Sequence, residues 1–258
     1  MLAPEIRQHV ENIYALVRVA DEIVDGSAAE AKLSGGKVDP VHALDDLEKE
    51  VYRALKDRFS SNLVVHAFAH TANTTGFDRK LIAPFFESMR MDLWKTLHTK
   101  ASFDKYVYGS AEVVGLMCLQ AFTMNHEYTI AEREKLVSGG RALGAAFQKV
   151  NFLRDLASDS DALGRSYFPG LVVEKLTDEK RDELVSDIEA DLAKSSISLR
   201  MLPKTSRRAV AAAHLLFEEL NKRIAKTPAN ELKTTRISVP NFKKFLIIIK
   251  VLLGGLPK

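Results

Sequence analysis

Two stretches far apart in the chain each set a pair of carboxylates four residues apart inside an otherwise apolar helical pattern. The first carries Arg18, Asp21 and Asp25; the second carries Gln148, Asn151, Arg154, Asp155 and Asp159. Side chains at that spacing are neighbours on a helix, and like charges there repel by roughly 0.2–0.5 kcal/mol per pair. One such pair is explained by a solvated helix face with intrahelical Arg–Asp contacts. Two, each flanked by arginine, point to a fold that brings two helices together around shared divalent cations.

The spacing also fixes which way these groups face. At about 100° per residue, Tyr14, Arg18, Asp21 and Asp25 fall within roughly 60° of one another, beside the apolar stripe of Ile13, Leu16, Val17, Ala20 and Val24. Gln148, Asn151, Asp155 and Asp159 span roughly 80° on the second helix, next to Val150, Leu153 and Ala157. Each polar set therefore borders a core. Carboxylate and amide oxygens with no adjacent His or Cys suit Mg²⁺, with Mn²⁺ as an alternative, rather than zinc. Arg18 and Arg154 bring the bidentate donors that bind phosphate oxygens.

Helical periodicity runs through the rest of the chain and strand alternation is nearly absent, so an all-α fold is expected. Helices are read near residues 4–25, 41–58, 62–74, 79–97, 102–124, 129–158, 177–200, 204–226 and 239–253. Breaks rich in Gly and Pro fall at 26–40 and 164–170, neither long enough to link domains. One domain over residues 1–258 is the simplest organisation, and no repeat of solenoid period is visible. The small residues Gly109, Ser110, Ala111 and Gly115 in the stretch 106–117 serve either close helix packing or the lining of a cavity.

Composition narrows the partners. A net charge of +3 in 258 residues gives little support for nucleic-acid binding. A lone cysteine, Cys118, excludes an internal disulfide and fits a reducing compartment. The opening residues lead straight into an amphipathic pattern, so no secretory leader is expected and the cytoplasm is the expected location. The stretch 245–256 is the most apolar, yet it is too short to span a bilayer and is interrupted by Lys250. It is read first as a terminal core helix. Lys243, Lys244 and Lys250 leave peripheral membrane contact as the second reading.

Taken together, these motifs resemble the squalene/phytoene synthase family of head-to-head prenyl-diphosphate synthases, nearest to its bacterial phytoene synthases. The resemblance rests on Arg18 through Asp25, on Gln148 through Asp159 followed by Gly164, Arg165, Tyr167 and Pro169, and on Tyr106, Tyr108, Gly109 and Gly115. The segment 89–93 and the tail of Arg236, Pro240, Lys243 and Lys244 extend it over nearly the whole chain. It implies the all-α isoprenoid synthase bundle around a central cavity, with the two aspartate motifs facing each other at the mouth. Asp21, Asp25, Asn151, Asp155 and Asp159 are implied as Mg²⁺ ligands. Arg18, Arg154, Arg165, Tyr167 and Arg236 would hold diphosphate, Gln148 would lie in the same site, and Tyr106 would border the reacting carbons.

The implied reaction joins two geranylgeranyl diphosphates through a cyclopropyl intermediate to phytoene, in carotenoid biosynthesis, without NADPH. Relatives using farnesyl diphosphate make squalene, dehydrosqualene or hydroxysqualene, and silent members act as scaffolds. Head-to-tail synthases carry Asp-Asp-x-x-Asp instead. Three departures are expected to matter. A Ser-x-Ser-Phe segment and most of a helix, which cover the diphosphate site in relatives, precede the point where this sequence begins. Glu112 replaces a small residue and is expected to restrict or polarise the cavity, and Leu216 replaces a tyrosine. Oligomeric state is not legible in the sequence.

Overall fold

The structure is a computed structural model and describes residues 1–26, 28, 30–31, 34–94, 97–156 and 167–257. Helix starts follow local chemistry. Helices α1 (Pro4–Val24) and α2 (Pro40–Asp57) open on prolines, whose missing N–H costs nothing in a first turn. Asp39 caps α2 by accepting from the Val41 N–H at 3.0 Å. Asn62 caps α3 (Leu63–Thr75), which stops where Gly76 turns to φ 82°. Asp78 caps α4 (Arg79–Asp92), a helix containing Pro84. Reciprocal capping boxes, Thr99 with Ser102 and Thr129 with Glu132, open α5 (Lys100–Val107) and the long α7 (Ile130–Arg154).

Residues 102–124 do not form one uniform helix. Between α5 and α6 (Val113–Thr123), residues Tyr108–Glu112 form a π-helical turn, closed by the Val113 N–H donating to the Tyr108 carbonyl. The reason lies in the packing against α4. A Cβ on Gly109 would stand 2.1 Å from the Pro84 carbonyl oxygen and 2.1 Å from Ser88 Oγ, so only glycine lets the two backbones touch. Ser88 Oγ then donates to the Tyr106 carbonyl at 3.1 Å. A periodicity argument cannot see such a widened turn, which a neighbouring helix imposes.

The chain continues through a 3₁₀ turn (Val173–Lys175), α8 (Asp178–Leu199), α9 (Lys204–Lys226), the short α10 (Ala229–Leu232) and α11 (Asn241–Leu252). The architecture is all-α. Helix α7 is the spine, packed along α8 and against α6, α9 and the π turn. One apolar core joins α1, α2, α3, α4 and α6 through residues such as Leu16, Val51, Phe68 and Phe85. A second joins α5, α7, α8 and α9 around Leu153, Ile188 and Ile224. Burying each of these large side chains contributes about 1.5–3 kcal/mol. A third, smaller cluster of Leu119, Leu136, Leu202, Leu215 and Val251 closes the end of the bundle remote from the aspartates.

Helix α11 is not the core helix that its composition suggests. Val251 is its one buried residue, while Phe242, Phe245, Leu246, Ile249 and Leu252 face outward. The stripe of Lys243, Ile247 and Val251 is the less exposed one, and Ile247 and Val251 join the third cluster. Among the described residues, no helix is long and apolar enough to cross a membrane.

Candidate active site

Both aspartate motifs sit where a helix ends. Asp25 is the C-cap of α1, its N–H donating to the Asp21 carbonyl at 2.8 Å; Asp155 is the C-cap of α7, its N–H donating to the Asn151 carbonyl at 2.9 Å. A helix C-terminus carries the negative end of the macrodipole, so a carboxylate there is disfavoured by about 0.3–1 kcal/mol. The fold nonetheless directs both ends into one pocket of about 510 Å³. Arg18, Asp21 and Asp25 line it from α1; Gln148, Asn151, Arg154 and Asp155 line it from α7 and its cap. Tyr106 and Tyr167 complete the wall. Asp159 and Arg165 lie outside the described residues.

Charge in this mouth is held under tension. Burial first, and the Asp25 charge second, push the Asp21 carboxyl from its ordinary 3.8 to about 6, with Arg18 pulling the other way. Arg18 itself pairs with Glu22, one turn along α1. Asp155 is bracketed by two arginines. Arg154 Nε donates to its Oδ1 at 3.0 Å, and Arg236 Nε reaches the same oxygen at 2.7 Å from the segment before α11. The tail motif therefore meets the second aspartate motif directly, across eighty-one positions of sequence.

Beneath the aspartates the wall becomes aromatic. Tyr167 stacks on Phe152 with ring centroids 4.0 Å apart and planes 9° apart. Tyr106, 5.3 Å from Tyr167, donates its hydroxyl to Asp92 Oδ2 at 2.9 Å. Burial and then the Asp92 charge hold the Tyr106 phenol well above its usual range, so it keeps its proton. The sequence pattern assigns no role to Asp92 or His98. His98 lies against Tyr106 and Tyr167, with centroids 5.1 and 5.9 Å away. The buried carboxylate at the end of α4 was visible only as part of the segment 89–93.

A second cavity of about 550 Å³ opens below the mouth. Its wall is almost wholly apolar, with Val114, Leu119 and Phe122 from α6, Leu136 and Phe147 from α7, and Val210 from α9. The small residues Gly115, Gly140 and Gly144 also line it, which decides between the two uses of the small-residue stretch: it serves packing and cavity together. Ser110 and Asn151 line both cavities and so stand between them. Ser110 Oγ and Asn151 Oδ1 are buried there with no hydrogen-bond partner. Glu112 does not enter this cavity. It turns to an outer groove, where it accepts from Arg141 Nε at 2.6 Å, so its expected effect on the cavity is not found. Leu216 packs beside the second core and brings no polar contact.

The residues present suit a hard divalent cation. Asp21, Asp25 and Asp155 offer carboxylate oxygens, and the unpartnered Asn151 Oδ1 is an amide oxygen of the right type. Among the described residues, no three His, Cys, Asp or Glu side chains already converge into a closed ligand cluster.

The described residues thus form an all-helical bundle with an acidic mouth beside an apolar cavity. The sequence model of squalene/phytoene synthase matches residues 1–243, and the chain belongs to that family. It is 30% identical to chloroplastic phytoene synthase 2 of Solanum lycopersicum over 271 residues, covering 96% of this chain and 82% of the relative. Against chloroplastic phytoene synthase 2 of Oryza sativa subsp. japonica it is 30% identical over 233 residues, 87% of this chain but 52% of the relative. The chain thus spans about half the length of some curated relatives. The fold is also that of a dehydrosqualene synthase solved with a ligand, at TM-score 0.76 and 20% identity over 98% of this chain and 88% of that one. Squalene synthase HpnC from Alicyclobacillus acidocaldarius aligns at TM-score 0.73 and 20% identity, covering 90% and 86%.

Proposed function

We propose that this chain is a Mg²⁺-dependent prenyltransferase that joins two geranylgeranyl diphosphates head-to-head to phytoene. The observation that carries the reading is the adjacency of the two cavities. Ser110 and Asn151 border both the acidic mouth, which would take the diphosphate, and the apolar cavity, which would take the hydrocarbon chain, so one bound molecule would reach from one into the other. Membership of the family and the phytoene synthase relatives support the same class of reaction.

Mg²⁺, held by Asp21, Asp25, Asn151 and Asp155, with Asp159 as a further ligand, would neutralise the diphosphate as it leaves. Arg18, Arg154 and Arg236 add fixed positive charge where the leaving group's negative charge grows, and Arg165 and Tyr167 are assigned to the same head. Arg154 and Arg236 now spend that charge on Asp155; a diphosphate would draw them from it. Gln148 stays at the head. The cavity walls would exclude water from the allylic cation while the second molecule is alkylated and loses a proton to give the cyclopropyl diphosphate, which then loses its own diphosphate and rearranges. Tyr106, kept as a phenol by burial and then by the Asp92 charge, borders the reacting carbons and orients the final proton loss. No NADPH is needed for that outcome.

The test is direct. Purified protein is incubated with Mg²⁺ and either geranylgeranyl or farnesyl diphosphate, and the hydrocarbon is identified by mass spectrometry. Phytoene from the C20 substrate is the expected result. Consumption of farnesyl diphosphate alone would move the assignment to a C30 product. If neither is consumed the catalytic reading falls, and a scaffold member of the family takes its place.

A further inference from the structure

Helix α11 and its C-cap Leu253 leave seven large apolar side chains open to water: Phe242, Phe245, Leu246, Ile248, Ile249, Leu252 and Leu253, with Phe245 62% and Leu253 84% exposed. Soluble monomers rarely expose contiguous apolar patches beyond a few hundred Å² without a use for them. At about 100° per residue, Phe242, Phe245, Ile249 and Leu252 share the face turned away from α9, and no polar side chain interrupts it. Lys243, Lys244 and Lys250 stand along the rim, between that face and the seam made by Ile247 and Val251. Lys243 Nζ lies 5.9 Å from the centre of the Phe242 ring, so the cation already leans toward the apolar face.

We infer that α11 is a docking helix for an anionic lipid bilayer, lying in the interface with its outer face among the acyl chains. The chemistry favours lipid over a protein partner. Protein interfaces enrich Tyr, Trp and Arg, deplete Lys, and place about one hydrogen bond per 100–200 Å². This face offers Phe, Ile and Leu without a hydrogen-bonding group, rimmed by lysines. Apolar bulk with a basic rim is the pattern of an in-plane interfacial helix, and lysine stems let ammonium groups reach lipid phosphates while their carbons stay buried. The seat of the helix agrees. Val251 and Ile247 pack into the cluster of Leu119, Leu136 and Leu202, the same side chains that close the far end of the apolar cavity. The C-terminal half of the helix is thus seated at the far end of the cavity, while its N-terminal end follows the segment whose Arg236 contacts Asp155 at the mouth. This inference stands apart from the reaction assigned above.

Flotation of the full chain with vesicles tests it, using phosphatidylcholine alone and phosphatidylcholine with about a third phosphatidylglycerol. The wild type should float with the anionic vesicles and bind neutral ones weakly. Replacing all three lysines (K243Q, K244Q, K250Q) should lower binding to anionic vesicles by about 100-fold, since each basic residue near such a surface is worth about 1 kcal/mol. The pair F245Q and I249Q should lose flotation with both compositions. Circular dichroism melting of each variant checks that the bundle is intact, which is expected because both faces altered lie outside the core. The inference is overturned if the wild type stays unbound with anionic vesicles, or if the F245Q/I249Q protein floats as the wild type does. It is equally overturned if size-exclusion chromatography shows a dimer that F245Q/I249Q dissolves while vesicles bind neither protein.

Discussion

The mouth and the cavity beneath it are similar in size and meet at Ser110 and Asn151, but opposite physics builds them. The mouth gathers Asp21, Asp25 and Asp155 at the negative ends of two helices, where burial and the Asp25 charge disfavour an ionised Asp21 and two arginines already hold Asp155. Its polar groups store a cost. The cavity stores almost none, because its walls are leucine, valine and phenylalanine, and space is made by glycine where helices α6 and α7 approach. The contrast teaches that substitutions in the mouth should act on chemistry or on charge, whereas substitutions in the cavity should act on packing and chain length.

The most severe break falls in the mouth. Asp21→Ala or Asp155→Ala should reduce diphosphate release at least about 10³-fold, the scale of losing transition-state charge stabilisation, with helix content unchanged. A variant of either kind that keeps turning over would remove the metal assignment. Tyr106→Phe comes next. It strips the buried Asp92 carboxylate of one donor and should cost about 1–3 kcal/mol in urea unfolding; an unchanged midpoint would mean that Asp92 does not depend on this bond.

Asp21→Asn should act with the opposite sign on stability. The folded protein holds the Asp21 proton up to about pH 6, whereas an ordinary carboxyl releases it near 3.8. The folded state therefore binds more protons between those values, and stability falls as pH rises through that window. Removing the charge should stabilise the metal-free protein at pH 7 by about 1–2 kcal/mol after allowing for solvent screening, with no difference below pH ~4. Thermal melts across pH 3–8 would read this directly, and a constant offset at every pH would refute the charge explanation.

The smallest effects separate two cavity glycines. A Cβ on Gly140 would meet Leu119 Cδ2 at 3.5 Å and Leu116 Cδ2 at 3.7 Å, ordinary contacts. Gly140→Ala should therefore gain up to about 1 kcal/mol from helix propensity while narrowing the cavity and favouring the shorter prenyl substrate. On Gly144 the same atom would stand 2.7 Å from the Ala111 carbonyl, so Gly144→Ala should lose stability instead. Equal melting shifts for the two would break the claim that one lines space and the other makes contact.

Helices α1 and α7, and most of the others, were legible because a repeat of 3.6 residues between apolar positions survives any arrangement of neighbours. The mouth was legible for a related reason: Asp21 with Asp25, and Asn151 with Asp155, are local patterns whose spacing alone puts them on one face. The π turn at Tyr108–Glu112 was hidden, since it depends on Pro84 and Ser88 of another helix. Composition misread α11, because an apolar run reads the same whether it is covered by protein or left facing outward.

The amino-acid sequence by itself thus determined an all-helical chain and the residues that make its acidic mouth, because helix period and charge spacing are properties of neighbours along the backbone. Tertiary structure alone decided that Arg236 closes on Asp155, that Tyr106 is held by Asp92, that Glu112 turns away from the cavity and that α11 stays uncovered. Each of those outcomes is a meeting between elements far apart in the chain. Which residues meet is set by how helices cross and by which faces the core has room to bury, and no local pattern carries that information.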